Sequence, residues 1–132
     1  MPFIFLSYVL LPAKPLSLNL FQFEGNTPLE KKILRESKKL EGEVNSKKIT
    51  AEKAISILCY LGLETLEEPS ISLEDKRKVM NTLIAQSVGM NKVEGDDLYK
   101  ATIAQLKRLQ KENPKDKKLV EYEEYYKQFK KP

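Results

Sequence analysis

The side chains best suited to chemistry in this chain are cationic. Lys107, Arg108, Lys111, Lys115, Lys117 and Lys118 fall within twelve residues that hold two acids, Glu112 and Asp116. The excess positive charge of that window equals the +4 of the whole chain of 132 residues. Such a cluster suits contact with phosphate oxygens, which is sequence-independent and weakened by salt. Lysine is a mobile point charge and reads base edges poorly, and the chain has only three arginines, Arg35, Arg77 and Arg108. The competing reading is a solvated face, with lysines at a helix C-terminus favoured by its dipole. Lys31 to Lys53 carries a second set of 8 basic residues, interleaved with Glu36, Glu41, Glu43 and Glu52. Interleaving favours surface ion pairs, worth about 0–1 kcal/mol each. Residues 54–99 invert the balance, with 4 basic and 8 acidic residues, so the two signs are unevenly distributed along the chain.

Other reactive groups are sparse. Tyr122, Tyr125 and Tyr126 have the faces to stack on bases, but two of them fit a helical seam and read first as core, with Tyr125 facing outward. Glu94, Asp96 and Asp97 do not match the ligand spacing of an EF-hand, and Gly95-Asp96 reads as the start of a helix. Cys59 is the only cysteine, and no histidine exists to activate it. It reads as an inert core thiol, and an intrachain disulfide is excluded. The missing histidine also removes the one side chain that ordinarily titrates near neutrality. No GxxxxGK[ST], GxGxxG or GxSxG stretch is present. Paired-carboxylate and Ser/Lys chemistries converge only in space and leave no such signature. No enzyme, cofactor, metal site or small-molecule substrate is expected.

The elements that must position these groups begin with an apolar arm, residues 1–26. The first 23 residues hold one charge, Lys14, and five of the eleven aromatics: Phe3, Phe5, Tyr8, Phe21 and Phe23. A secretory signal would need a basic n-region and a small-residue cleavage site, and this arm has neither in a suitable place. A membrane span would need roughly 20 apolar residues, and Pro12, Lys14 and Pro15 interrupt the run. Leu16, Leu18 and Leu20 alternate with Ser17 and Asn19, which suits a strand, and Phe3-Ile4-Phe5-Leu6 has strand-like composition. The readings that remain are a hairpin joined through residues 12–15 or an irregular strap. Either one needs a surface to cover it, on the chain's own helices or on a neighbour.

Residues 27–132 read as five helices. Thr27-Pro28-Leu29-Glu30 has a cap, a proline at the first position and a glutamate at the third. Leu29, Ile33, Leu40 and Val44 follow on one stripe. Thr50 caps a second helix with Ala54, Ile55, Leu58 and Leu61 inward, ending near Gly62. Ser72 caps a third, with Val79, Met80, Leu83, Ile84 and Val88 inward and Gly89 at its end. After a loop over 90–96, Asp96 caps a fourth, with Leu98, Ala101, Leu106 and Leu109 inward. Asn113-Pro114 starts a fifth, where Leu119, Tyr122, Tyr126 and Phe129 form an a/d-type seam.

The fold class expected is all-α: a small antiparallel helical bundle of four to five helices carrying an extended or hairpin arm. Residues 50–131 form its compact four-helix part. The function expected is that of a non-enzymatic assembly or protein-interaction subunit. Its protein-contact anchors are Phe3, Phe5, Tyr8, Phe21 and Phe23, and self-association or a protein partner follows. The alternative is a sequence-independent nucleic-acid-binding protein, such as a nucleoprotein coat or small ribonucleoprotein subunit, using residues 107–118. Composition suits an intracellular, cytoplasmic protein or part of an assembled particle.

Overall fold

Thr27 Oγ1 accepts the Glu30 amide at 3.2 Å and donates to the Glu30 carboxylate at 3.0 Å. This closed cap starts α1, Pro28–Asn45, in the computed structural model, which describes residues 17–129. The remaining helices are α2, Ala51–Thr65; α3, Leu73–Gly89; α4, Lys92–Glu112; and α5, Lys117–Lys127. Among the described residues the chain is all-helical, with no strand. α1 packs on α2, α2 on α3 and α4, α3 on α4, and α4 on α5. One core runs through all of them, from Leu18 and Ile33 through Leu58, Met80 and Leu106 to Leu119 and Tyr126.

Three boundaries differ from the sequence expectation. α2 does not stop at Gly62 but continues to Thr65. Gly62 is buried, and a Cβ there would lie 2.3 Å from the Phe21 ring. The glycine is a seat for an aromatic side chain, not a helix terminator. α4 starts at Lys92 instead of Asp96, because Asn91 Oδ1 accepts the Glu94 amide at 3.0 Å. Gly95 lies inside its first turn, against the last turn of α3, where a Cβ would stand 2.4 Å from the Ser87 carbonyl oxygen. Only glycine permits that approach, so α3 and α4 close into a hairpin through Met90 and Asn91. α5 starts after Asp116, whose carboxylate accepts the Lys118 amide at 3.0 Å. Asn113 belongs to the end of α4, where its backbone and side-chain nitrogens both donate to Leu109 O.

Residues 17–26 form an irregular strap. Leu18 N–H donates to Glu41 at 2.7 Å, so its hydrogen bond goes to a side chain and not to a ladder. A turn closes from Gln22 N–H to Asn19 O, with Gln22 at φ 54°. Asn19 Oδ1 then accepts from Phe23 N–H at 3.2 Å. The turn sends Phe21 and Phe23 to the same side, 5.4 Å apart and buried. The strap thus covers the core of its own molecule. The proposed strand at 3–6, the connection at 12–15 and Leu16 lie outside the described residues. No described helix is long and apolar enough to cross a membrane.

The inward faces hold in most positions. Val88 is exposed, and Ser87 takes the buried place beside it with its hydroxyl donating to Ile84 O at 2.6 Å. On α4 Thr102 is fully buried where Ala101 was expected, its hydroxyl donating to Leu98 O at 2.8 Å. On α5 Leu119 and Tyr126 are buried, Tyr122 is half-buried and Tyr125 is exposed; Phe129, just past its end, is half-buried.

Candidate functional site

The described surface carries an apolar groove along α4. Gly95, Tyr99 and Ile103 succeed one another at helical spacing on a stripe beside the buried Leu98–Thr102–Leu106 face. Ser87 of α3 closes one side and Phe129, just past α5, the other. Val88 and Ala104 complete the apolar lining, Lys92, Asp96, Lys100 and Lys107 add the charged groups, and the volume is about 410 Å³. Tyr99 is fixed by donating its hydroxyl to Tyr126 O at 3.2 Å. Burial, then the Glu123 carboxylate, raises its phenol above the ordinary range. Its ring packs against the core while lining the groove.

The groove exists because α4 is longer than either neighbour. α4 has 21 residues and α5 only 11. Two adjacent stripes of α4 are apolar, and among the described residues the packing of α2, α3 and α5 uses only one of them fully. The expected inner face of Leu98, Ala101, Leu106 and Leu109 does not include Tyr99, Ile103 and Ala104. Their i, i+4, i+5 spacing was the available signal.

The basic cluster is divided by the fold. Lys107 stands at the groove. Arg108 points the other way and is structural: its guanidinium donates to Leu66 O at 2.5 Å, to Gln105 at 2.9 Å and to Glu112 at 2.5 Å. It satisfies a carbonyl at the C-terminal end of α2, where helices leave such groups without intrahelical partners. Lys111, Lys115, Lys117 and Lys118 are exposed around the α4–α5 turn. The last three line one shallow depression with Pro114 and Asp116. Close by, Lys76 is buried, and its ammonium pKa is lowered first by desolvation and then by Arg108.

Of the proposed protein-contact anchors, Phe21 and Phe23 are spent on the internal core. Phe21 fills the Gly62 seat, so neither ring is displayed to a partner. Phe3, Phe5 and Tyr8 lie outside the described residues. Tyr126 is buried with its hydroxyl donating to Asn81, and Arg77 lies 4.8 Å over the Tyr122 ring. Of the three tyrosines, Tyr125 alone has an exposed ring, edge-on to Phe129 at 5.3 Å. Cys59 is fully buried, and desolvation pushes its thiol up to about 12. Among the described residues no cluster of three or more His, Cys, Asp or Glu is placed to hold a metal ion. Comparison with protein-family models, curated proteins and solved structures finds no match for this chain.

Proposed function

We propose that this chain is a non-enzymatic interaction or assembly subunit whose receptor surface is the α4 groove. The observation that carries this reading is the half-open apolar groove between α3, α4 and Phe129, with lysines among its lining. Concave apolar surfaces with a few polar groups at the edge are where segments of other molecules dock. An apolar stretch of polypeptide fits it: side chains against Tyr99, Ile103 and Phe129, and backbone carbonyls within reach of the lysines. The apolar arm, with Phe3, Phe5 and Tyr8, is the segment this chain itself offers for such contacts.

Size-exclusion chromatography with light scattering tests the reading. Ile103→Glu places a charge on the groove floor and is expected to lower the association state, or the affinity for an apolar peptide, by more than tenfold. The helical circular dichroism should be retained. Unchanged association and peptide binding in Ile103→Glu would remove the groove from the function.

The second reading is phosphate-backbone binding at the α4–α5 turn, favoured by the exposed Lys115, Lys117 and Lys118 around one depression. With Lys111 they offer four contacts, for which the salt slope of single-strand binding is about −3. Replacing Lys111, Lys115 and Lys118 by glutamate should abolish that binding. Binding that ignores both salt and these changes refutes the reading.

A further inference from the structure

The outward face of α1 carries one sign of charge. Lys31, Lys32, Arg35, Lys38 and Lys39 are all exposed. At 3.6 residues per turn they fall within about 120° of the helix circumference. That arc lies opposite Ile33, Ser37 and Leu40, which are buried. The acids of the helix stand elsewhere. Glu30 is buried and holds the Thr27 hydroxyl at 3.0 Å. Glu41 accepts from Leu18 N–H, and it, Glu36 and Glu43 are half-buried. The two signs interleave in the sequence but are sorted in space. Among the described residues the ion pairs are Asp75–Lys78, Arg108–Glu112 and Glu124–Lys127. The surface pairs that interleaving favours therefore do not form on α1.

The strip adds nothing to the stability of its helix. Like charges three or four residues apart, here Lys31–Arg35, Arg35–Lys38 and Arg35–Lys39, are destabilising. The same arc stays open beyond Lys39: Gly42 follows on it, exposed, and a Cβ there would meet nothing within 4 Å. Chemistry selects the partner. Protein interfaces have apolar centres in which lysine is depleted, and between Lys31 and Lys39 no apolar side chain is exposed. A lipid surface takes up the apolar face of a helix, and that of α1 is buried in the fold. The pair Lys31 and Lys32, then Arg35, then the pair Lys38 and Lys39 succeed one another at about 5 Å along the axis. Such a row of unpaired cations suits a regular row of anions, which a phosphodiester backbone supplies.

We infer that the outer face of α1, from Lys31 to Lys39, binds the phosphate backbone of nucleic acid without base preference. This surface is separate from the α4–α5 turn, since α1 packs on α2 and α5 on α4, and the inference stands without that turn.

Fluorescence anisotropy of a labelled single-stranded oligothymidylate, titrated with the full chain, tests it. Five contacts contribute about −3.5 to the salt slope, a loss of about a hundredfold between about 50 and 200 mM salt. Lys31→Glu, Arg35→Glu, Lys38→Glu should weaken binding by more than about tenfold and make the slope shallower by about 2. The helical circular dichroism should be retained. Lys53→Glu, Lys92→Glu, Lys100→Glu is the control, because it reverses three exposed cations elsewhere and changes the net charge equally. It should keep the slope of the parent chain. Gly42→Glu, which removes no cation and adds a carboxylate at an open position of the arc, should weaken binding several-fold. An α1 variant that loses no more affinity and slope than the control overturns the inference. So does a parent chain that leaves the oligonucleotide unbound at low salt. Polyglutamate or anionic vesicles bound as tightly as the oligonucleotide, and released by the same α1 variant, would overturn the assignment to nucleic acid.

Discussion

Substituting Gly62 by alanine sets two effects of known sign against each other. In a helix interior, alanine is favoured over glycine by about 1 kcal/mol. Here the new methyl would meet Phe21 Cζ at 2.3 Å, Cε2 at 2.9 Å and Cε1 at 3.0 Å. The ring must retreat by more than an ångström to restore ordinary contact. It is buried, tilted against Phe23 at 5.4 Å, and the cavity it lines, with Phe23, Glu30 and Asp75, is about 90 Å³, so the ring can retreat only by losing contact with Phe23 and the core. Overpacking of this kind costs about 1–3 kcal/mol, and a ring pushed into water forfeits a further share of about 1.5–3 kcal/mol of burial. The steric loss outweighs the propensity gain, and Gly62→Ala should destabilise by about 1–2 kcal/mol. Urea unfolding followed by circular dichroism should show a midpoint lowered by roughly 1 M or somewhat less. The decisive arm is the Phe21→Ala background, itself less stable by about 3–5 kcal/mol. There the clash is gone, and Gly62→Ala should stabilise by up to about 1 kcal/mol. The sign reversal amounts to a coupling of about 2–3 kcal/mol, large for a single contact. A Gly62→Ala change that is neutral or stabilising with Phe21 present would refute the seating of this ring, and with it the path assigned to the strap.

Lys47 has φ 62°, and Lys47 N–H and Lys48 N–H donate to Val44 O and Glu43 O. This is a Schellman end built without glycine, so Lys47→Gly should raise stability by about 1 kcal/mol in the same urea assay. Arg108→Ala strands the Leu66 carbonyl, and its cost should fall near the lower end of about 1.5–3 kcal/mol because the side chain is one-third exposed. Arg108→Lys should recover only part of that loss, since an ammonium cannot reproduce the fork; full recovery would argue against the geometry. Cys59 should resist thiol reagents until the chain unfolds. Its thiol stays protonated in the fold up to about 12, against 9.0 ordinarily, so the stability it supports is complete below pH 9.0 and drains away as pH climbs toward 12. Tyr126 and Tyr99, both raised first by burial, act in the same direction. Lys76, lowered by burial and Arg108, opposes them, because its fold prefers the neutral amine. Urea midpoints should therefore fall above pH 9.0, and the slope should be shallower in Cys59→Ala; a stability that rises with pH in both chains would contradict the burial of the thiol.

The sequence by itself determined the helical class, the caps at Thr27, Thr50 and Ser72, and most inward stripes. Each of those depends on groups within three or four residues of one another, so the chemistry is local: a hydroxyl oxygen and an amide, or a repeat of one helical turn. Asn91 and Glu94 carry the same local signal three residues apart, so the α4 start is legible there, although Asp96 competes with Asn91 as a cap in the sequence. The tertiary structure decided the rest. A glycine's role depends on what approaches it, and for Gly62 that is a ring 41 positions away in the strap, for Gly95 the carbonyl of Ser87 in the preceding helix. Lys107 and Arg108 are neighbours in the chain, but a helix turns them toward different surroundings, one to the groove and one to a carbonyl at the end of α2. The groove itself belongs to no segment: it appears only where α3, α4 and the residue following α5 meet, because among the described residues the helices, of unequal length, cover only part of an apolar stripe.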